Sequence, residues 1–508
     1  MLSFGGTLVL FAGLVLRTTS MQVAAQVGDH WTERSQILQS EWRQSLGGSL
    51  TLGPEECEAN DTLMKYKTAE WEQGFQRPGE YPPNMHFFQG KLAMENSTIF
   101  KILKQMPKGV LLHTHDFGML SFEGLLKLTY TDDLYVCDEP QLGLKFRFFK
   151  TPDNSSCLQG WQLLADLRRL SEKDINAHIR KELSLVVDDP HSTYPTIDAV
   201  WSKFQSIYVK VAPIVTYKPV FDKYFYRALK ELHDDQVWYV QVRTTLPDLY
   251  DLMGRQYRGG QVVKAYKEIT EKFKRAHPKF IGAKLIYAPP RHVTNETMAG
   301  YVATFTNIKA AFNDFVLGFD LVGQEDKGAP LKDFLPHLLP MKETCDFFFH
   351  AGETDWFGST TDENLVDAIL LGTKRIGHGY ALLKHPVLMQ RVRDEAIVLE
   401  VSPISNQVLK LVEDIRNHPG AVFGATAMPM VVTNDDPTYW DAKGVSYDWY
   451  MAFMGMANRH SDLRYLKMLA LNSIYHSGLR SGEITQLMVQ WLPEWAEFVR
   501  KLSNDAIN

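Results

Sequence analysis

The chain is 508 residues long, 45% apolar and 22% charged, with a formal net charge of −6. That length allows a large core and more than one structural unit, and the composition is ordinary for a globular protein. No basic stripe or block of like charge is present, which argues against a nucleic-acid partner.

Residues 2–16 are almost wholly apolar or small, Arg17 closes the run, and Val23-Ala24-Ala25 offers a small-residue cleavage site. This predicts a signal peptide over 1–25 and a secreted, extracellular protein; an uncleaved anchor is the alternative. The run falls short of the roughly 20 apolar residues that span a bilayer, and no later stretch reaches that length. Four cysteines are present, without metal-type C-x-x-C spacing. In an oxidising compartment Cys137 and Cys157 could close a loop of about 20 residues, worth roughly 3 kcal/mol in the chain-entropy model. Sequons at Asn60, Asn96, Asn154 and Asn295 suit the same compartment.

Residues 26–100 mix helical periodicity with Pro and Gly breaks. Trp31, Ile37, Leu38, Trp42 and Leu46 recur at helical spacing, as in an amphipathic element that packs on something else. The readings are a dimerisation element or a plain N-terminal extension. From residue 101 to 508 strand-like runs alternate with helical patterns. The strands are expected at 110–115, 237–243, 282–288, 315–321, 347–350, 375–378, 397–402 and 429–434. Near-continuous apolar strands separated by helices predict an α/β fold, a (β/α)8 TIM-type barrel, with an open doubly wound sheet as the rival. The gap after the first strand is too long for one crossover, and predicts a small inserted domain at about 125–185 that holds both Cys137 and Cys157. Beyond it, 198–232 reads as helix interrupted near Pro213 and Pro219.

The polar residues at the strand ends carry the chemistry. His113 and His115 stand two apart, so strand geometry points both to one face, and Asp116 follows to orient a ligand or contact substrate. His350 ends a run of three phenylalanines, with Gly352 and Glu353 on the turn beyond. His378 lies between two glycines, and Asp435 and Asp436 follow a buried apolar run. Each motif alone has a bland reading, as a rim histidine or a solvated acid. Together His113, His115, His350 and Asp435 offer three nitrogens and one oxygen, a set that suits one zinc ion with a further position open for water. A carboxyl in a desolvated pocket, such as Glu353, can donate a proton near neutral pH.

His113-Thr114-His115, Asp320-Leu321-Val322-Gly323, His350-Ala351-Gly352-Glu353, Arg375-Ile376-Gly377-His378-Gly379 and Asn434-Asp435-Asp436-Pro437 resemble the ordered motifs of adenosine deaminases. The signal peptide, N-terminal helical region and insertion resemble the secreted adenosine deaminase-related growth factors more closely. Met106-Pro107-Lys108-Gly109 and the stretches 349–356 and 401–409 strengthen that match. The resemblance implies a homodimer that deaminates adenosine or 2′-deoxyadenosine with one zinc per subunit. A cell-surface receptor or glycosaminoglycan is the further partner it suggests. It implies that Glu353 protonates N1, His378 orients or deprotonates the attacking water, Asp436 bonds N7 and the Gly323 backbone holds the purine. Trp201 matches a position that covers the sugar; a helix-core aromatic is its alternative. Where family members carry an acid for the ribose hydroxyls, the aligned stretch reads Asp188-Asp189-Pro190-His191.

Overall fold

The computed structural model describes residues 26–140, 142–152 and 156–506, so the expected signal peptide and the sequon at Asn154 lie outside the described residues. The strands β1 (Gly109–His115), β2 (Val237–Thr244), β3 (Gly282–Tyr287), β4 (Val316–Phe319) and β5 (Asp346–Phe347) pair in parallel, each with the next. A second run of parallel pairs joins β6 (His350–Ala351), β7 (Arg375–His378), β8 (Val398–Val401) and β9 (Met430–Val432).

The two runs form one barrel. Phe348 N–H donates to Phe319 O at 3.0 Å and Gly377 N–H to Phe349 O at 2.9 Å, so β5 and β6 are halves of one stave. The expected strand at 347–350 is therefore present but broken in the middle. At the other seam Thr114 bridges Asp435 in parallel, with His115 N–H on Asp435 O at 3.2 Å. Last and first staves thus meet, which excludes the open doubly wound sheet. Helices such as Gly260–Ala276 and Asn295–Ala311 follow the staves outside, burying apolar faces against them. The break expected near Pro213 comes later: Ile197–Val215 runs through Pro213, and the next helix, Lys218–Asp234, takes Pro219 in its first turn, where a missing N–H costs nothing.

The insertion is a small antiparallel sheet of Leu134–Glu139, Gly143–Phe148 and Gln162–Leu163, backed by the helix Leu164–Leu183 and closed by a Cys137–Cys157 disulfide. In the N-terminal region the helix Pro54–Gln76 is not a free arm. Its Glu56 accepts from Lys467 Nζ at 2.6 Å and from Trp495 Nε1 at 2.7 Å, the latter on the C-terminal helix Ser481–Ser503. The helix over 26–44 differs, leaving Trp31, Ile37 and Leu38 at least half exposed. No helix among the described residues is long and apolar enough to cross a membrane.

Replacing Cys137 and Cys157 with Ser should cost about 3 kcal/mol in the chain-entropy model. Hydrogen exchange should then quicken in 134–148 and stay unchanged in β7 and β8. Equal acceleration in the barrel would contradict an independently closed insertion.

Candidate metal and catalytic centre

Five side chains converge at the C-terminal ends of the staves. His113 Nε2 stands 3.3 Å from His115 Nε2, and Asp435 Oδ1 lies 3.5 Å from the first and 3.1 Å from the second. The His350 ring centre is 4.6 Å from that of His113, and the His378 ring 5.2 Å from both. Two overlapping donor groups result, His113–His350–His378 and His113–His115–Asp435, with ligand atoms within 4.8 Å of one another in each. His378 and Asp435 hold left-handed backbone angles, φ +62° and +56°, which cost non-glycine residues energy and recur at functional sites.

Barrel residues behind the centre fix how these rings present themselves. His113 Nδ1 meets Glu400 Oε2 at 2.9 Å, and His350 Nδ1 meets Asp320 Oδ2 at 2.7 Å. Arg243 Nε donates to Asp320 at 2.7 Å and its Nη2 to Glu400 at 2.6 Å; Arg375 Nε donates to Glu400 at 2.5 Å. Burial opposes charge on both carboxylates. The hydrogen bond from His350 and the charge of Arg243 outweigh it at Asp320, as Arg243 and Arg375 do at Glu400, so both stay well below the usual carboxylate range. Burial likewise pushes His350 down to about 3, leaving it neutral. An acceptor on each Nδ1 puts the ring hydrogen there and the lone pair on Nε2. Two nitrogens on one tetrahedral zinc, each about 2.0–2.1 Å away, would stand roughly 3.3–3.4 Å apart. The separation between His113 and His115 fits that. Asp435 is oriented too, by Ser405 Oγ on its Oδ2 at 2.6 Å.

Above the donors lies a cavity of about 250 Å³, lined by Asp116, Trp201, Tyr208, Gly323, Glu353 and Asp436 among others. Glu353 Oε1 is buried without a hydrogen-bond partner and sits 3.5 Å from His378 Nε2. Burial, then Asp435 and Glu325, push its carboxyl well above the usual range. Burial and Asp435 do the same to Asp436, while burial holds His378 neutral. Two carboxyls biased toward the protonated form and an imidazole biased toward the neutral one thus face one cavity. Gly323 has φ +104° and open space where a Cβ would stand, so its backbone is bare to a ligand. Asp116 is tied down by Tyr266 at 3.1 Å and by Phe117 N–H at 2.9 Å. His191 lies away from this group, beside Glu413 at 3.7 Å.

Several contributors escaped the sequence reading. Glu400 is the one charged residue in an apolar run, a signal that Arg243 carries too, whereas Arg375 follows Lys374 and stands out only through its motif. Ser402, in a motif without an evident task, shares a 2.6 Å hydrogen bond with Thr433. Of the sequons, Asn96 and Asn295 are exposed, whereas Asn60 sits within a helix and its amide oxygen accepts from Leu463 N–H at 3.0 Å.

Residues 180–490 match the family model described as adenosine deaminase, and 9–103 the model described as adenosine/AMP deaminase N-terminal. The chain belongs to the adenosine deaminase family. It is an enzyme of that family, 43% identical to an adenosine deaminase of Phlebotomus duboscqi over 92% of this chain and 90% of that one. It is 41% identical to adenosine deaminase 2 of Homo sapiens over 92% of each chain. Among solved structures an amidohydrolase from Burkhoderia ambifaria, with bound zinc, shares the fold at a TM-score of 0.57 and 17% identity, covering 80% of this chain and 95% of that one.

Asp320→Asn and Glu400→Gln should each weaken metal affinity by about 10–100-fold, the usual loss when a ligand's orienting partner is removed. Competition with a metal-binding dye measures this, and unchanged affinity would contradict the orienting role.

Proposed function

We propose that the chain is a secreted, zinc-dependent hydrolytic deaminase that converts adenosine and 2′-deoxyadenosine to inosine and 2′-deoxyinosine with release of ammonia. The observation that carries this reading is the unpartnered, buried Glu353 carboxyl beside the convergent imidazole and carboxylate donors. His113, His115, His350 and Asp435 would hold the zinc. Bound there, zinc lowers the pKa of a water to about 7 and so supplies a nucleophile at neutral pH.

The protein's own groups do the rest. Glu353, protonated, donates to N1 of the purine and makes C6 more electrophilic. Neutral His378 accepts a proton from the attacking water, and its Nε2 faces both Glu353 and Asp435. Asp436 donates to N7, which has only a lone pair to offer. The bare backbone of Gly323 holds the purine edge. Trp201 walls the sugar side and Asp116 contacts the substrate from the cavity wall. Water adds at C6, the proton held by His378 passes to the amine, which leaves as ammonia, and the C6 hydroxyl proton returns to Glu353 as the carbonyl forms.

Secretion is supported by the leader-like residues 1–25 and by the Cys137–Cys157 bridge. N-glycans at the exposed Asn96 and Asn295 fit that setting, and Asn60 is only partly exposed. A homodimer is supported by the uncovered apolar face of the helix over 26–44. A growth-factor role, with a cell-surface receptor or glycosaminoglycan as partner, rests on resemblance alone.

Glu353→Gln keeps the side chain's shape and removes its transferable proton, so kcat for adenosine should fall by at least 10²–10⁴-fold, the usual worth of a general acid. Steady-state assays on adenosine, AMP and adenine check both parts. Activity surviving in the variant, or wild-type preference for AMP or adenine, would sink this assignment.

A further inference from the structure

One partly buried side chain at the cavity wall has no part in that scheme. Tyr208 lies on the helix Ile197–Val215, about one turn beyond Phe204 and two beyond Trp201, and its hydroxyl donates to Oδ1 of Asp436. The ring has little freedom to do otherwise. It packs against Phe204 at 5.4 Å and 77° and against Tyr439 at 5.2 Å and 63°. The hydroxyl of the neighbouring Tyr439 is committed to Phe117 O at 3.1 Å. Asp436 is hemmed in from the opposite side: a Cβ at Gly118 would lie 1.9 Å from the same Oδ1. The backbone has been kept bare there to let this carboxyl oxygen reach the phenol.

A carboxyl group has two chemically equivalent oxygens, and a purine N7 can only accept. Any hydrogen between Asp436 and N7 must therefore sit on the carboxyl oxygen that faces the base. A donor fixed on Oδ1 occupies that oxygen as an acceptor and leaves Oδ2 to present the hydrogen. Without such a donor the group can turn over and offer a lone pair to a lone pair.

We propose that Tyr208 is a positioning residue which, by occupying Oδ1 of Asp436, aims the other oxygen at N7 and sets a preference for purines with an acceptor there. This rests on the assignment of Asp436 to N7 made above. Tyr208→Phe retains the ring and removes only the hydroxyl, so the aromatic packing is kept. The measurement pairs kcat/KM for adenosine with the competitive inhibition constant of 7-deazaadenosine, in which carbon replaces N7. The variant should lose up to about tenfold in kcat/KM, the upper range for one neutral hydrogen bond, while the 7-deazaadenosine constant moves by less than about twofold. A merely structural loss would move both constants by the same factor, and that result, or unchanged adenosine kinetics, overturns the proposal. Asp436→Ala, which removes the group that Tyr208 aims, closes a double-mutant cycle as a second test. In that background Tyr208→Phe should cost less than about twofold, and a further tenfold loss overturns the coupling, since linked residues are non-additive. A wild-type chain inert towards adenosine would overturn the deaminase assignment itself, and this proposal with it.

Discussion

The site depends on one buried arrangement of charge. Arg243 lies inside the barrel at 0% exposure, holding Asp320 and Glu400, each also fully buried, and each carboxylate orients one histidine. Such an arrangement is costly to desolvate and fails sharply if a partner is lost, because a lone charge stays behind in a medium that cannot solvate it. Arg375 adds a second cation on Glu400, and Gln241 Oε1 accepts from Arg375 at 2.5 Å, so the set is connected across the barrel. A barrel of this size is usually filled with branched aliphatic side chains. Here part of that filling is polar, and it serves the residues at the rim.

Rim geometry follows from the staves. Period-two alternation sends Tyr239, Gln241 and Arg243 of β2 to one face, and the last of them reaches the level of the histidines. Closure by Thr114 and Asp435 brings the first and last staves together, so His113, His115 and Asp435 become neighbours although 320 or more residues separate the histidines from the aspartate. The strained backbone at His378 and Asp435 is affordable because the surrounding ladder and side-chain contacts over-determine both positions.

Much of this was legible in the sequence, for a physical reason. Strand-end histidines and acids after apolar runs are expensive unless paired, so His350, His378 and Asp435 stood out, and all eight staves fell near their expected positions. The strand expected at 347–350 read as unbroken because three phenylalanines run through the break, and the inter-strand bonds at Phe348 and Phe349 carry the stave across it. Glu400 and Arg243 carried a readable signal, a charge within an apolar strand, but their partners lie far away in sequence. Tyr208 gave none, since an aromatic at helical spacing reads as core. At Asn60 the sequon is visible in sequence, whereas the hydrogen bond that its amide oxygen accepts from Leu463 is not.

The account stands or falls on whether the converging residues form one zinc centre that turns over adenosine. The direct measurement is a zinc titration of the metal-free protein, following bound zinc per chain by elemental analysis and inosine formation in the same samples. The account predicts that the rate rises in proportion to bound zinc and saturates at one ion per chain. A rate independent of zinc, or one that saturates only at a second ion, would contradict it.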